Sequence, residues 1–338
     1  MRCFVPPYLL ERIAALDDET LAQIARRTLE RDAEHRTARD RQPRVATVRP
    51  TSQPHRTVST AAGSETLPGT TVRMDGEPPS ADDAVDEAYD GLGATFRLYL
   101  DVYGRDSLDG RGRALDATVH FGTDYDNAFW NGERMVFGDG DGRLFGRFTR
   151  PLTVVGHELT HGVTELTAAL TYSGQSGALN ESISDVFGAL VEQHALGQTA
   201  DKASWLIGEG LFTSQVHGQA LRSMKAPGTA YDDPVLGTDP QPATMSGYVD
   251  TQDDNGGVHL NSGIPNHGFY LVAAALGGNA WERAGQVWYD TLTGSRVTHD
   301  ADFAAFAAAT VGAATDRYGE GDVGSAVREG WRQVGVEV

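Results

Sequence analysis

The sequence is poor in cysteine and in basic side chains, and it contains no long apolar run. Its 338 residues include a single cysteine, Cys3, so no disulfide can form within the chain. Lysine and arginine together number 28 against 47 acidic residues, which gives a formal net charge of −19. Nucleic-acid binding needs clustered basic residues, and a membrane span needs roughly 18–20 apolar residues in a row. We therefore expect neither nucleic-acid binding nor a membrane-spanning segment.

The N-terminus also lacks the features of a secretory signal peptide. Its apolar run follows one basic residue, is interrupted by Pro6 and Pro7, and becomes charged at Glu11. Scarce cysteine is compatible with a reducing compartment and also with bacterial secretion. We therefore expect the protein either to stay in the cytoplasm or to be secreted by a route that uses no signal peptide.

Charge divides the chain into two different parts. Residues 1–50 contain 10 arginines, no lysine and 8 acidic residues, a net of +2, so the remaining residues carry −21. Residues 8–41 show apolar side chains at helical spacing, with a break near Asp17 and Asp18. These apolar positions are Leu9, Leu10, Ile13, Leu21, Ile24, Ala25 and Leu29. The pattern predicts a short, basic, helical segment ahead of an acidic body.

The body changes character along its length. Residues 42–80 have the composition of linkers and extended segments, and 84–103 have the pattern of an amphipathic helix. Residues 114–150 combine glycine and aromatic residues with short alternating runs, which favour strands and loops. After Pro151, helical periodicity appears in residues 152–166, 177–197, 262–276, 280–293, 301–314 and 322–334. The sequence therefore predicts a β-rich half followed by a helical half.

The most specific local signal is the sequence His157-Glu158-Leu159-Thr160-His161. Residues four apart share one face of a helix, so both imidazoles can bind one metal ion. The glutamate between them lies about 100° around the helix axis, beside the position where a metal-bound water would lie. This pattern is typical of a zinc site that hydrolyses peptide bonds.

A catalytic zinc site needs a third protein ligand, and Glu181 is the candidate. It lies in Asn180-Glu181-Ser182-Ile183-Ser184-Asp185, in a segment that we predict to be a helix with Ser176 as its N-cap. Glu181 and Asp185 are four residues apart and share a helix face. One can bind the metal while the other accepts a hydrogen bond from a ligand histidine and orients it.

Together these motifs resemble those of the thermolysin family of zinc endopeptidases. Further agreement comes from residues 127–132 with the loop 138–142, from 221–224 and from 254–263. The motifs occur in the family's order, and the resemblance spans roughly residues 80–338.

The resemblance implies a thermolysin-like α+β fold with two lobes. The β-rich lobe would comprise residues 47–151, and the helical lobe residues 167–338. The zinc-binding helix, residues 152–166, would form the floor of the cleft between the lobes.

The resemblance also implies one catalytic zinc ion. Its ligands would be His157, His161 and Glu181, and Asn180 and Asp185 would be the hydrogen-bond partners around them.

Catalytic roles are implied for three more residues. Glu158 would be the general base that activates the zinc-bound water and then carries a proton to the leaving amine. His259 and Tyr172 would stabilise the oxyanion of the tetrahedral intermediate, with Asp254 holding His259.

The substrate site is implied in the same way. Asn127, the backbone of Ala128 and Arg222 would hold the main chain of the substrate. The residue after the cut would enter a pocket lined by Phe145, Phe148, Val154, Ile207, Leu211 and Leu221. All six are apolar, so we predict cleavage on the amino side of Leu, Phe, Ile or Val.

The sequence departs from the family at its calcium sites, which are built from acidic residues. Only Glu192 and Glu209 are retained there. The other positions read Thr153, Ser204, Leu206 and Gly210, and Gln219 occupies a later calcium site. Because hard cations need several oxygen ligands, we expect structural calcium to be absent or reduced.

A second departure is the short N-terminal segment, residues 1–46. Its sequence Val5-Pro6-Pro7-Tyr8-Leu9-Leu10 resembles the short propeptide of the protealysin-like subgroup. A basic segment on an acidic body suits a reversible cover of the cleft. We predict that this propeptide inhibits the enzyme intramolecularly until the 42–58 linker is cut. The candidate self-cleavage bonds are Arg44–Val45, Thr47–Val48 and Thr57–Val58.

Two other functions share much of this pattern. A catalytically silent relative would bind peptides or a partner, but it would be free to lose Glu158 or His259. An exopeptidase would need acidic residues that bind the substrate's free amine, commonly in a Gly-x-Met-x-Asn motif, which we do not find. We therefore expect a monomeric endopeptidase that acts on peptides or proteins.

Three residues keep a second interpretation at this point. Tyr172 is also compatible with a packing residue, and Arg222 with a helix cap. Cys3 is either a thiolate that blocks the zinc ion in the precursor or a small buried apolar side chain.

Overall fold

The computed structural model describes residues 2–39 and 52–338, which form a mixture of short strands and longer helices. The strands are β1 Arg2–Cys3, β2 Arg56–Thr60, β3 Thr70–Met74, β4 Leu115–Val119, β5 Ala128–Trp130, β6 Met135–Phe137, β7 Leu206–Ile207, β8 Arg222–Ser223, β9 Asp232–Asp233 and β10 Gly237–Thr238. The helices are α1 Pro7–Ala14, α2 Glu19–Arg39, α3 Asp83–Arg97, α4 Leu152–Glu165, α5 Gly174–Leu196, α6 Asp254–Asn261, α7 Gly263–Leu276, α8 Ala284–Thr293, α9 Phe303–Tyr318 and α10 Asp322–Gln333. The predicted α+β class is confirmed.

A six-stranded sheet in the order β1-β5-β6-β4-β2-β3 forms the framework of the first half. The pairs β2–β4 and β4–β6 are parallel, and the other neighbours are antiparallel. At one edge, Arg2 pairs with Trp130 and Cys3 pairs with Phe129. The start of the chain therefore supplies the strand that covers the backbone groups of β5, which would otherwise be the edge of the sheet.

Helices α4 and α5 approach each other closely at two glycines. A Cβ atom at Gly156 would lie 3.0 Å from the Cα atom of Gly188, and a Cβ atom at Gly188 would lie 2.6 Å from the Thr153 carbonyl oxygen. Larger side chains at these positions would separate the two helices. Because α4 carries His157 and α5 carries Glu181, this contact sets the distance between the predicted metal ligands.

The predicted break in the N-terminal helical segment is confirmed. It separates α1 from α2 at Asp17 and Asp18, and Asp18 Oδ1 accepts the backbone N–H groups of Thr20 and Leu21. This side chain satisfies two donors at the start of α2 that have no partner within the helix.

The prediction that Ser176 is the N-cap of the second zinc-binding helix is wrong. Ser173 occupies the N-cap position, and Gly174 at φ 54° allows the chain to turn into the helix earlier. Ser176 lies inside the first turn, where its hydroxyl donates to the carbonyl oxygens of Thr171 and Ser173.

The last residues of the predicted 42–58 linker belong to a strand of the sheet. Thr57 and Val58 lie in the middle of β2, which pairs with both β3 and β4, and Val58 is fully buried. The structure therefore contradicts Thr57–Val58 as a cleavage bond, because a protease needs an accessible strand. The bonds Arg44–Val45 and Thr47–Val48 lie outside the described residues. Among the helices in residues 2–39 and 52–338, none has the length and apolar character needed to cross a bilayer.

Candidate active site

The two histidines of the five-residue motif lie on one side of α4. His157 and His161 are fully buried, and their ring centroids are 4.7 Å apart. Helix α4 begins after Pro151, whose extended backbone ends the preceding loop. Val155 and Leu159 are also fully buried and anchor the helix in the core. The histidines are therefore fixed by a helix that is packed on every side.

Glu181 on α5 completes a cluster of three possible metal ligands. Glu181 Oε2 lies 3.4 Å from His157 Nε2, and Glu181 Oε1 lies 3.4 Å from His161 Nε2. One ligand atom from each residue lies within 4.8 Å of the other two. Two imidazoles and a carboxylate are a donor set that catalytic zinc sites use. The predicted triad is therefore confirmed as a cluster.

The second nitrogen of each histidine is held by a residue of α5. His157 Nδ1 lies 2.7 Å from Asp185 Oδ1, and His161 Nδ1 lies 2.9 Å from Asn180 Oδ1. Ser184 Oγ also lies 2.9 Å from His161 Nδ1. Ser184 belongs to the sequence motif around Glu181, but we did not predict this contact. These bonds direct both Nε2 atoms toward Glu181, as metal ligation requires.

Asp185 connects the metal cluster to Arg222, the arginine predicted to bind the main chain of the substrate. Arg222 donates to it twice, from Nε to Oδ2 and from Nη2 to Oδ1, both at 2.9 Å. Asn266 Nδ2 donates to Asp185 Oδ2 at 2.9 Å, and both residues are fully buried. Sequence reasoning missed Asn266, although a lone amide inside the apolar pattern of α7 was a usable signal. The structure favours a buried ion pair for Arg222 over a helix cap.

The charges around the triad suit a bound cation. Burial lowers the pKa of His157, but Asp185 and Glu181 outweigh it and raise the pKa to about 9. Burial raises the pKa of Glu181, while the nearby histidines, His259 and His161 foremost, lower it well below its usual value. Buried carboxylates need a positive charge close to them. A zinc ion provides that charge when the histidines are neutral ligands, so the residues fit zinc.

His259 approaches the triad from α6. Its Nδ1 lies 2.7 Å from Asp254 Oδ1, and its backbone N–H donates to Asp254 Oδ2 at 2.9 Å. The Tyr172 hydroxyl lies 3.2 Å from His259 Nε2 and donates to Glu181. Residues 254–257 all have positive φ, between 51° and 86°, a conformation that the two glycines there adopt without strain. This turn brings Asp254 back beneath the histidine.

Burial lowers the pKa of His259, but the charges of Asp254 and Glu181 raise it to about 9. Its Nε2–H is thus available as a donor on the side that faces the cleft. The structure brings His259, Tyr172 and Asp254 to one side of the triad, as the sequence predicted. Their catalytic roles remain a prediction.

Glu158 and the strand β5 lie on the other side of the triad. The carboxylate is fully buried, and its Oε2 accepts the backbone N–H of Trp130 at 2.9 Å. Asn127 and Ala128 precede Trp130 in the same strand region and are also fully buried. The proposed base and the proposed substrate strand are therefore directly connected.

The six residues of the predicted pocket are all buried, and the Phe4 ring lies against Gly208 and Arg222, which directly follow the pocket residues Ile207 and Leu221. The phenylalanine ring meets the His157 ring edge-on with centroids 5.2 Å apart, and the Arg222 guanidinium lies 4.6 Å from its centroid. A Cβ atom at Gly208 would lie 3.2 Å from the Phe4 ring. The pocket residues Phe145, Phe148, Val154, Ile207, Leu211 and Leu221 belong to the same core cluster as Phe4.

The side chain of Cys3 lies in an apolar cluster beside this pocket. Its neighbours there are Phe121, Tyr125, Phe129 and Val136, and 4% of the residue is exposed. This environment supports the interpretation of Cys3 as a small buried apolar side chain. Its carbonyl oxygen, not its side chain, contacts His259, at 3.1 Å from Nε2.

Two family models match most of the chain. The thermolysin metallopeptidase catalytic domain matches residues 30–165, and the thermolysin metallopeptidase alpha-helical domain matches residues 168–336. Together they contain all three predicted zinc ligands and the motifs on which the resemblance depends.

Individual proteins are similar over nearly the same length. An extracellular metalloprotease of Pectobacterium carotovorum is 51% identical over 334 residues, which is 99% of this chain and 96% of that protein. Protease PrtS of Photorhabdus is 52% identical over 84% of this chain and 77% of its own. The precursor of protealysin from Serratia proteamaculans superimposes with a TM-score of 0.92 at 52% identity, covering 99% of this chain and 100% of that one. The chain therefore belongs to the thermolysin family of zinc metalloendopeptidases, in its protealysin-like branch.

Proposed function

We propose that this enzyme is made as a self-inhibited precursor and that, once released, it cleaves peptide bonds on the amino side of bulky apolar residues. The observation that carries the proposal is the position of residues 2–5. Arg2 and Cys3 pair with β5, the strand predicted to bind substrate, and the buried Phe4 ring lies against Gly208 and Arg222, from which we infer that it occupies the predicted specificity pocket.

The backbone of this segment is bound by the residues predicted to bind substrate. The Phe4 N–H donates to the Ala128 carbonyl at 3.2 Å, and Arg222 Nη1 donates to the Phe4 carbonyl at 3.2 Å. Asn127 bonds both backbone groups of Val5, accepting from its N–H at 2.8 Å and donating to its carbonyl at 3.4 Å. Every peptide has these groups, so the contacts suit general recognition of a main chain.

Specificity follows from the pocket. Phe4 is fully buried, and the six predicted pocket residues are all apolar, while the His157 ring and the Arg222 guanidinium also contact the Phe4 ring. An apolar side chain of similar size gains several kcal/mol by entering such a site, whereas a charged one loses its hydration. We infer that Leu, Phe, Ile or Val is preferred after the cut.

Helices α1 and α2 hold the segment in place. Asp32 on α2 accepts hydrogen bonds from the Tyr125 hydroxyl and, at 2.9 Å, from Asn127 Nδ2, and it is buried. On α1, Arg12 Nε donates to the Val235 carbonyl at 2.9 Å. The N-terminal segment thus binds the very amide that would otherwise bind substrate, which supports inhibition by occupation of the cleft.

The released site has the parts that peptide hydrolysis needs. When zinc is bound, it polarises the carbonyl of the cleaved bond and activates a water molecule. Glu158 is placed to take a proton and to pass it to the leaving nitrogen. His259 Nε2 would donate to the carbonyl oxygen, where negative charge develops, and so would the Tyr172 hydroxyl once it turns away from Glu181.

The decisive experiment uses a blocked, quenched-fluorescence peptide with one internal Gly-Leu bond. The zinc-loaded chain is cut in the 42–55 region by a second protease, and hydrolysis is compared before and after the cut. We expect internal cleavage before Leu only after the cut, lost when a chelator removes the zinc. A cut, zinc-loaded chain that hydrolyses nothing would instead indicate a silent peptide binder, and removal of single terminal residues from an unblocked peptide would indicate an exopeptidase.

Replacing Phe4 with aspartate is expected to activate the uncut precursor. The buried carboxylate would lose its hydration, and the nearby Arg222 is already paired with Asp185, so the segment should leave the cleft and the hydrolysis rate should rise by about 10²-fold. The measurement is the rate on the blocked peptide, with the mass of the chain verifying that the linker is intact. Phe4→Leu is the matched control and should stay inhibited. A Phe4→Asp precursor as inactive as the parent would contradict inhibition by this segment.

We also propose that the family's double calcium site has been replaced by direct bonds. Thr153, at one of its positions, uses its hydroxyl to accept the Gly208 N–H at 2.9 Å. The two retained acids remain close enough to interact, since burial and the charge of Glu209 raise the pKa of Glu192 to about 7.

Replacing Glu192 with glutamine is expected to stabilise the fold at pH 8 but not at pH 4.5. The folded-state pKa of about 7 lies above the ordinary value of 4.5, so stability falls as pH rises between these values and stays low above them. We expect a gain of about 2 kcal/mol at pH 8, reduced from the full linkage value because the side chain is partly solvated. Urea unfolding at both pH values, with and without calcium, measures it. A parent chain that calcium stabilises and Glu192→Gln destabilises would show that the calcium site persists.

A further inference from the structure

We propose that the precursor cuts its own N-terminus between Cys3 and Phe4 and stays inhibited afterwards. The inference rests on the proposed endopeptidase function, but it concerns a bond well outside the linker. It follows from the register in which residues 2–5 lie in the cleft.

The register is set by contacts on both sides of this bond. The Cys3 carbonyl oxygen lies 3.1 Å from His259 Nε2, the donor predicted to contact the oxygen of the carbonyl under attack. The next residue, Phe4, is the one that we infer to occupy the pocket for the residue after the cut, and its carbonyl accepts from Arg222. The Cys3–Phe4 bond therefore occupies the position of the bond to be hydrolysed.

The proposed base is connected to the strand that pairs with the residues just ahead of this bond. Glu158 Oε2 accepts the N–H of Trp130, and Trp130 is the strand partner of Arg2, the residue before Cys3. Cleavage adds the oxygen of one water molecule to the Cys3 carbonyl carbon and breaks the bond from that carbon to the Phe4 nitrogen. One water proton passes through Glu158 to the Phe4 nitrogen and the second follows it, so that the Phe4 nitrogen becomes an ammonium group and the Cys3 carbonyl a carboxylate. The step needs no reactant other than water.

Inhibition is expected to survive the cut, because most of the segment's contacts lie on the Phe4 side. Phe4 and Val5 are fully buried and keep their bonds to Ala128, Asn127 and Arg222. The cut loses the short pairing of Arg2 and Cys3 with β5, the packing of the Cys3 side chain and the contact to His259. The product is therefore a precursor whose new N-terminus, Phe4, continues to fill the specificity pocket.

The cysteine content of the chain provides a direct measure of cleavage between Cys3 and Phe4. Cys3 is its single cysteine, so the cut removes every thiol from the protein. The purified, zinc-loaded precursor is unfolded in denaturant, and its thiols and intact mass are measured. We expect less than about 0.1 thiol per chain and a mass that starts at Phe4. The Glu158→Gln chain should keep one thiol and start at Met1.

Two further comparisons test whether the register in the cleft determines the cut. The Phe4→Asp chain, which should not place its third residue in the cleft, is expected to keep its thiol, whereas Phe4→Leu should lose it. In zinc-free Glu158→Gln, a maleimide should label Cys3 slowly in the folded state, since 4% of the residue is exposed, and at least about tenfold faster once Phe4→Asp is added. This labelling tests the register without any turnover.

The proposal and the function on which it rests fail in different ways. A precursor that retains Cys3 while the same preparation, cut in the linker, hydrolyses the blocked peptide would overturn self-cleavage and leave the endopeptidase function intact. Rapid labelling of Cys3 in folded Glu158→Gln would overturn the register itself. A preparation that keeps its thiol and also hydrolyses nothing after the linker cut would overturn both.

Discussion

Replacing Glu158 with glutamine is expected to lower kcat/KM of the linker-cut enzyme by about 10²–10⁴-fold, the range for loss of a general base. Glutamine has nearly the same shape, and its amide oxygen can still accept the Trp130 N–H that Glu158 Oε2 accepts at 2.9 Å. It cannot, however, take up and return a proton at neutral pH. The fold and the zinc ligands should therefore be preserved while turnover is lost.

Initial rates on the blocked peptide, together with zinc content per chain, measure this effect. Glu165→Gln is the matched control, because Glu165 ends the same helix and is not part of the triad. It should keep the parental rate. Parental activity in a zinc-loaded Glu158→Gln enzyme would mean that another group acts as the base.

Replacing Asp185 with asparagine is expected to lower the free energy of unfolding by about 3–5 kcal/mol, as when one partner of a buried ion pair is removed. Asp185 is fully buried and accepts two hydrogen bonds from Arg222, one from Asn266 and one from His157. Asparagine would leave the buried Arg222 guanidinium without a counter-charge in direct contact. Zinc affinity should also fall, by about 10–100-fold, because His157 loses its orienting carboxylate.

Denaturant unfolding in a Glu158→Gln background, which prevents self-digestion, measures the loss of stability. Asp316→Asn is the matched control, since Asp316 pairs with Arg296 at the surface with 63% of its side chain exposed. The control should change stability by no more than about 1 kcal/mol. Equal effects of the two substitutions would show that the buried pair makes no special contribution.

The zinc cluster could be predicted because its geometry is local. His157 and His161 are related by one turn of α4, and Glu181 and Asp185 are related by one turn of α5, so spacing alone places each pair on one face. The close approach of the helices at Gly156 left no comparable pattern in the sequence. This close approach depends on glycines at positions that come into contact only when the two helices pack together.

Several partners of the site were missed, although three of them had left a signal. Asn266 is a polar residue inside the apolar α7. On α2, the buried Thr28 and Asp32 continue the apolar spacing of Leu21 and Ala25, which indicates that they face the body of the protein. A polar residue on a buried helix face needs a partner, and here the partners belong to the substrate strand.

The sequence by itself determined the family, the metal ligands and the presence of a short propeptide-like segment, because these depend on residue types at fixed spacing. Only the tertiary structure decided where that segment binds. Residues 2–5 are held mainly by backbone N–H and carbonyl groups, through partners more than 120 positions away, such as Asn127 for Val5. All non-proline residues carry those backbone groups, and Phe4 is one of several apolar residues near the N-terminus, so the sequence alone does not specify the register that places the Cys3–Phe4 bond between His259 and the specificity pocket.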